Sequence, residues 1–531
     1  MTKRAYETNR KNQLLAVIFI SALVVFHAVN NYNVLAMSSM QMGYDEVNYF
    51  SAACSLLAAF HGIFSDGRLL AGGMKLVALC QQCDLGAPRS NIFFFPAFIF
   101  LAMGRTATWA VISNAIYLGI LLSATYGLGK RLYGFKSGVL ATFIVAFLPG
   151  VYAMSRVYMR DLALAAFVTL ALYCLVELCL TGGKKTWRLY CLTAFSFAVG
   201  IAIKETFAVY IAFPIMFLFT YRDFREKSSL IRFAIILLPV LLMVLIWFFR
   251  ADWPIYVGAW RYKATLLVSR DACFYLRHLY SVQLLPVFFW LLAVAVAYRL
   301  IQKDAFSFFL IIVPIAFFSF VSPNKVSRFL LPIFGFIAIA LARFVCDFSK
   351  KRDFLAYALI VLALLQYYIM TYRLGVPLSF CHPAFNRQED GLCSITTEVT
   401  YKDAAQSVFN LIAAASRPCA DQAPRRVLVL ESEGLYTDLM ELAAATPTSY
   451  VLSRWEDDDY YALRKMKQVS EIKNAHYLVC QKNPRLEFEN ASAYYRDFLS
   501  HRDRLAWLGA VTARARGTQA AVQFDVYRYK G

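Results

Sequence analysis

From its start to about residue 375 the chain alternates long apolar blocks with short polar connections. A bilayer core is ~30 Å thick, so a helix that crosses it needs ~20 mostly apolar residues. Eleven blocks are expected to do so: 14–36, 106–129, 137–154, 162–181, 188–203, 206–221, 231–249, 280–298, 306–321, 329–346 and 354–372. A further stretch, 91–104, is too short to cross and is expected either to re-enter or to pack at the membrane surface. Ala53, Leu56, Leu57 and Phe60 fall at helical spacing among Asn48, Ser51, Ser55 and His61, the pattern of a helix lying in the interface.

Past residue 375 the period changes. A linker at 376–394 holds Pro377 and Pro383, and 395–531 alternates strand-like runs (426–431, 449–452, 477–480, 522–529) with helical patterns near 431–445, 459–472 and 491–503. The expected fold is a polytopic α-helical membrane domain over 1–375, with about eleven spans, followed by a small soluble α/β domain.

Composition agrees with a membrane domain. Apolar residues make up 60% of the chain and charged residues 17%, against about a quarter charged in a soluble domain. The net charge of +20 lies largely in short connections: Lys3 to Lys11, Lys130 to Lys136, Lys184 to Arg188, Arg222 to Arg232, Arg299 with Lys303, and Arg343 to Arg352. All fall on one side if the eleven spans hold, and the positive-inside rule makes that side cytoplasmic. The first apolar block is too long for a signal-peptide core and is expected to be a retained span. The C-terminal domain is then outside, and short inner loops favour a bacterial inner membrane. No soluble basic module offers itself to nucleic acid. Of 12 cysteines, Cys54, Cys174, Cys179, Cys191 and Cys346 lie in apolar stretches as packing residues. Cys80 with Cys83, and Cys381 with Cys393, lie in loops and form disulfides only if those loops meet an oxidising compartment.

Ionisable groups near a membrane face are costly and tend to be functional. Asp45 and Glu46 follow the first span among Tyr44, Tyr49 and Phe50; they supply either a general base or an acidic helix start. Arg156, Arg160 and Asp161 precede the fourth span, where Asp161 is either an N-cap or a second acid. Two carboxylates from different loops suit a divalent ion, with Asp45 and Asp161 as its ligands, or a hydroxyl nucleophile. Lys204-Glu205 is either a local ion pair in a turn or a cation beside a phosphate. Lys325 and Arg328 sit at an outward helix start, where either phosphate recognition or snorkelling to headgroups accounts for them. Trp253, Trp260, Arg261, Lys263, Arg270 and Arg277 crowd one outer loop, as an aromatic belt or a substrate surface.

These clusters occur in a recognisable order. Tyr-Asp45-Glu46 after the first span, Met159-Arg-Asp161-Leu-Ala-Leu-Ala-Ala-Phe at the fourth, Gly200-Ile-Ala-Ile-Lys204-Glu, and Ser322-Pro-Asn-Lys-Val-Ser-Arg328-Phe-Leu-Leu-Pro332 together resemble the lipid-phosphate-sugar-dependent membrane glycosyltransferases of type C fold. Protein O-mannosyltransferases and aminoarabinose lipid A transferases belong to that group. The resemblance covers residues 10–375. It implies inverting transfer of a sugar from a polyprenyl or dolichyl phosphate to a glycan, lipid or protein acceptor outside the cytoplasm. By position Asp45, with Glu46 beside it, would be the base and Asp161 the second acid, holding the acceptor or a metal. Lys204, Lys325, Arg328 and Arg156 would face the donor phosphate. Where many relatives carry a Lys-Pro-Pro-type segment, this chain has Pro88-Arg89-Ser-Asn-Ile-Phe-Phe-Phe-Pro96, so the acceptor contacts of the first loop do not carry over. A transporter or flippase of a lipid-linked saccharide is the alternative; it would be expected to show repeated halves, and none is apparent.

Overall fold

The computed structural model describes residues 3–37, 93–180, 187–220, 272–348, 354–372 and 402–415, apart from 94, 105 and 323–325. It also describes helical residues between 49 and 60, single residues at 238 and 242, and five strands between 425 and 529. The helices of the apolar part include α1 Lys3–Met37, α2 Asn114–Tyr133, α3 Phe135–Phe147, α4 Pro149–Ser155, α5 Arg160–Leu180, α6 Trp187–Ile203, α7 Phe207–Leu218, α8 Leu285–Ile301, α9 Phe334–Phe348 and α10 Phe354–Tyr372. Every predicted span coincides with helix except 231–249, which lies almost wholly outside the described residues.

Among the described residues, five helices are long and apolar enough to cross a membrane, or six if the bent pair α3–α4 is one span. The runs Trp187–Ile203, Phe207–Leu218, Leu285–Ile301 and Ala305–Phe320 are shorter. Pro149, at the first position of α4, turns the chain by 61° where a single span was predicted, and Lys204 lies between the runs predicted at 188–203 and 206–221. The stretch 91–104 holds only the seven-residue helix Phe95–Leu101. With these spans the protein is a multi-pass integral membrane protein.

The spans are not equivalent. α5 is 78% buried over its apolar window and the span Arg328–Phe348 is 83% buried, whereas α1 is 17% and α10 33% buried. A helix apolar all round belongs inside a bundle; α5 carries Leu162 through Val168 without one exposed side chain. α1 turns Val17, Val25 and Val29 outward, and α10 does the same with Tyr357, Val361 and Leu365, faces suited to lipid. Gly134, at φ +91°, makes the turn between α2 and α3 in a backbone region that L side chains avoid.

Ion pairs sort the spans by end. Arg131 at the close of α2 meets Glu177 near the close of α5. Arg299 of α8 meets Asp347 at the close of α9. The openings of α5 and of the span Arg328–Phe348 meet at the opposite face, where Asp161 contacts Arg328. Ala53, Leu56 and Leu57 of the predicted interfacial helix are buried, while Phe60 is half-exposed and edges against Phe98. Among the packing cysteines Cys54 and Cys174 are buried, but Cys191 is exposed and Cys346 only partly covered; α6 turns that face of the helix away from its neighbours. Cys80, Cys83, Cys381 and Cys393 lie outside the described residues.

Beyond α10 the strands β1 Arg425–Leu430, β2 Tyr450–Trp455, β3 Tyr477–Lys482, β4 Leu505–Arg514 and β5 Ala521–Tyr529 form a sheet of order β2-β1-β3-β5-β4. β1 runs parallel to β2 and β3, and β5 is antiparallel to β3 and β4. Two elements were not predicted: β4, and helix α11, Lys402–Ala415, which lays Leu411 against Gly509 of β4. The predicted linker 376–394 lies outside the described residues.

Candidate active site

Three breaks in the helical pattern meet at one point. The first is the opening of α5. Asp161 stands in its first turn, 3% exposed, where a carboxylate also complements the helix dipole. The second is the junction of α6 and α7. There Gly200 lies so close to Phe207 that a Cβ would sit 2.3 Å from the ring. This approach packs the start of α7 against the end of α6 and leaves Lys204 in the gap between the helices, its backbone N–H donating to the Gly200 carbonyl. The third is the 3-10 turn Ser327–Ile333 ahead of α9, which carries Arg328.

Asp161 receives two cations. Lys204 Nζ donates to its Oδ1 at 2.8 Å, and Arg328 Nε lies 3.5 Å from its Oδ2. Lys204 is nearly buried, while the Arg328 side chain is 24% exposed. The ammonium of Lys204 also lies 5.1 Å from the Phe329 ring centroid. The Phe329 carbonyl in turn accepts the Tyr210 hydroxyl from α7, which pins the Arg328 turn to the same junction. Glu205 is partly buried in the turn beside Lys204.

A second guanidinium backs the carboxylate. Arg160 is 2% exposed; its Nη1 donates to the Ile203 carbonyl at 3.2 Å, and its Cζ stands 4.7 Å over the Tyr49 ring. It therefore ties α5, the end of α6 and the first-loop helix together. Phe93 stacks on Tyr117 and contacts Tyr158, and the Tyr117 hydroxyl donates to the Phe93 carbonyl. Burial pushes the Tyr158 phenol well above its ordinary value, so it stands neutral in this wall.

Asp161, Lys204 and Arg328 are thus brought together. Arg156 is not among them: it is fully buried and held by Asn31, Tyr367 and Thr371. Asp45, Glu46 and Lys325 lie outside the described residues, as does the aromatic loop except for its last turn, where Arg277 is exposed. Three contributors carried no expected role: Arg160, Tyr210 and Phe329. Arg160 had a signal, being a second ionisable group at membrane depth beside Asp161. Tyr210 and Phe329 had none, since an aromatic in an apolar run is ordinarily core.

A divalent ion on Asp45 and Asp161 was one of two readings; Asp45 lies outside the described residues, and each Asp161 oxygen faces a cation. Among the described residues no group of three His, Cys, Asp or Glu stands together. What the cluster can do is hold an anion. One carboxylate and two cations leave the trio cationic in a place shielded from water, where a phosphate oxygen would be bound by charge-assisted hydrogen bonds.

Comparison with known proteins bears on the fold. Residues 91–249 match the family described as Dolichyl-phosphate-mannose-protein mannosyltransferase. The structure is similar to ArnT from Cupriavidus metallidurans bound to undecaprenyl phosphate: TM-score 0.59 and 10% identity over 96% of this chain and 97% of that one. The apo state of that ArnT gives TM-score 0.55 and 12% identity over 96% of this chain and 98% of that one. Archaeal oligosaccharyltransferase AglB from Archaeoglobus fulgidus gives TM-score 0.49 and 10% identity over 87% of this chain and 69% of that one. No curated protein matches the sequence. The chain has the type C fold of the membrane glycosyltransferases, the fold its ordered motifs resemble.

Proposed function

We propose that the protein is an inverting glycosyltransferase that moves a sugar from a polyprenyl or dolichyl phosphate to an acceptor outside the cytoplasm. The observation that carries this is the convergence of Lys204 and Arg328 on Asp161 where the two most enclosed spans open at one membrane face. The match of residues 91–249 to a dolichyl-phosphate-mannose-dependent family, and the fold shared with a transferase that binds undecaprenyl phosphate, support the same reading.

The chemistry follows from the charges. As the bond from the anomeric carbon to the phosphate oxygen breaks, negative charge grows on the lipid phosphate and positive charge on the sugar. Lys204 and Arg328 stabilise the departing phosphate, and Lys325 is a third candidate cation. Asp161 holds both cations in place before the donor arrives, and lends one oxygen to the acceptor once the phosphate draws a cation away. The acceptor oxygen forms its bond to the anomeric carbon from the opposite face, and its proton passes to Asp45, with Glu46 beside it. Polyprenyl phosphate is the leaving product. The membrane keeps the lipid tail in place while its head reaches the cluster.

The test is transfer by purified protein in vesicles, with a polyprenyl-phosphate sugar and hydroxyl acceptors, followed by the anomeric configuration of the product. Inversion is expected, and Asp45→Asn should lose at least about 100-fold in rate, as expected for a general base. Movement of donor between leaflets without any glycosidic product would replace this reading with transport.

A further inference from the structure

Arg156, five positions before Asp161, is in a different kind of place. Its guanidinium is fully buried. Nε donates to Asn31 Oδ1 of α1 at 3.2 Å, and Nη2 donates to Thr371 Oγ1 at 2.8 Å and to the Tyr367 hydroxyl at 3.3 Å, both on α10. The plane is also covered by aromatic rings, Tyr152 at 5.0 Å and Tyr367 at 5.5 Å from Cζ. The segment around it is tied down twice more. Asn31 Nδ2 donates to Ser155 Oγ at 2.9 Å, and Asn114 Nδ2 donates to the Val157 carbonyl at 2.8 Å. Among the described residues no carboxylate faces Arg156. A buried cation ringed only by neutral oxygens gives up hydration that no counter-charge returns.

These contacts join the outermost spans, α1 and α10, to the short connection that delivers Arg160 and Asp161 into the site. α1 leads on to the segment that bears Asp45. We propose that Arg156 is a positioning residue: it clamps α1 and α10 onto the α4–α5 connection and so fixes Asp161, rather than binding the donor phosphate. Two of its donor nitrogens are already committed to fixed partners, and the side chain has no exposed edge to offer a phosphate. The inference rests on the proposed transfer reaction for its kinetic arm only.

The test uses the full chain in detergent, as wild type, Arg156→Met, Thr371→Val and the double variant. Affinity for a short-chain polyprenyl phosphate and the donor KM should stay within about threefold of wild type in all four, while kcat falls about 20-fold or more in Arg156→Met. The double variant should be no slower than Arg156→Met alone, since both substitutions break one clasp. A tenfold or greater loss of polyprenyl phosphate affinity in Arg156→Met, matching that of Lys204→Met, would make Arg156 a phosphate ligand and overturn the proposal. Thermal melting of the same four proteins reads the clasp without substrate. Non-additive shifts are expected, and additive ones overturn the clasp whatever the reaction. Should Arg156→Met not fold, Asn31→Leu with Thr371→Val runs the same cycle on the two sides of the guanidinium. Wild type that transfers no sugar but melts with the predicted coupling would sink the proposed function and leave the clasp standing.

Discussion

One span separates two carboxylates that look alike on paper. At its opening Arg328 reaches Asp161, which also holds Lys204; at its close Asp347 holds Arg299 and Arg343. The second trio has one local pair and lies wholly on regular helices. Arg343 is four residues from Asp347 on the same helix, with its oxygen contact at 3.1 Å, and Arg299 comes from the neighbouring α8. Tyr133 covers both guanidinium groups, at 5.2 Å and 6.0 Å from Cζ. A spacing of four on a helix brings such partners together unaided. The Asp161 trio has no such helical pair: its members come from a helix start, a helix junction and a 3-10 turn. Interrupting three apolar segments at one membrane face sacrifices packing, which makes sense where chemistry is done and not where helices are merely stapled. The choice of Lys in one trio against two Arg in the other points the same way: a compact ammonium can swing from a carboxylate to a phosphate, while a guanidinium pair holds its geometry.

Substitutions that treat the two trios alike should therefore give unlike results. The largest contrast is expected in rate. Asp161→Asn should reduce transfer about 100-fold or more, the range for loss of an acid–base or charge-positioning group. In Asp347→Asn the initial rate at permissive temperature should stay within about twofold of wild type, as for an interaction away from the transition state. Equal losses in both variants, measured with sugar transfer in vesicles, would erase the distinction.

Donor affinity comes next. Lys204→Met should weaken polyprenyl phosphate binding about 10- to 100-fold, and Arg328→Met somewhat less, since each removes one charge-assisted contact and Arg328 is the more exposed. Titration of the lipid phosphate against each variant checks the order; unchanged affinity in both would mean that the cations serve structure alone.

Stability should run the other way. Asp347→Asn leaves Arg299, largely buried, without its carboxylate and should cost roughly 2–3 kcal/mol, below the usual figure for a fully buried pair because Arg343 is a third exposed. A melting curve unchanged from wild type would show that the staple contributes nothing. The smallest effect concerns the junction that presents Lys204. Gly200→Ala would place a Cβ against the Phe207 ring, and should cost about 1–3 kcal/mol as overpacking, with a modest rise in donor KM as Lys204 shifts.

Much of this architecture was legible in the chain. Apolar length marked the spans, and charged residues at their ends marked Asp161, Lys204 and Arg328, because a charge at membrane depth stands out against an apolar background. The partner of each charge was not legible. Beside Lys204 the sequence offers Glu205; the close approach of Gly200 and Phe207 at the α6–α7 junction also brings it to Asp161, and hydropathy carries no trace of that approach. Arg156 shows the converse. Its sequence signal is as strong as that of Arg160, yet Asn31, Tyr367 and Thr371 decide its place, three neutral residues from the two ends of the membrane domain. The break at Lys204 was legible as the gap between two predicted spans, but the bend at Pro149 was not, since mean hydropathy over a window passes over a single interruption. β4 was missed because its Ala506, Gly509, Ala510 and Ala513 dilute the strand pattern that β1 shows plainly in Val427 to Leu430.

The central claim is that the Asp161 cluster binds the phosphate of a lipid-linked sugar. It is tested most directly by product inhibition: sugar transfer measured against rising polyprenyl phosphate, in wild type and in Lys204→Met. The account predicts competitive inhibition in wild type that weakens at least about tenfold in the variant, as one ionic contact is lost. Inhibition of equal strength in both proteins would contradict it.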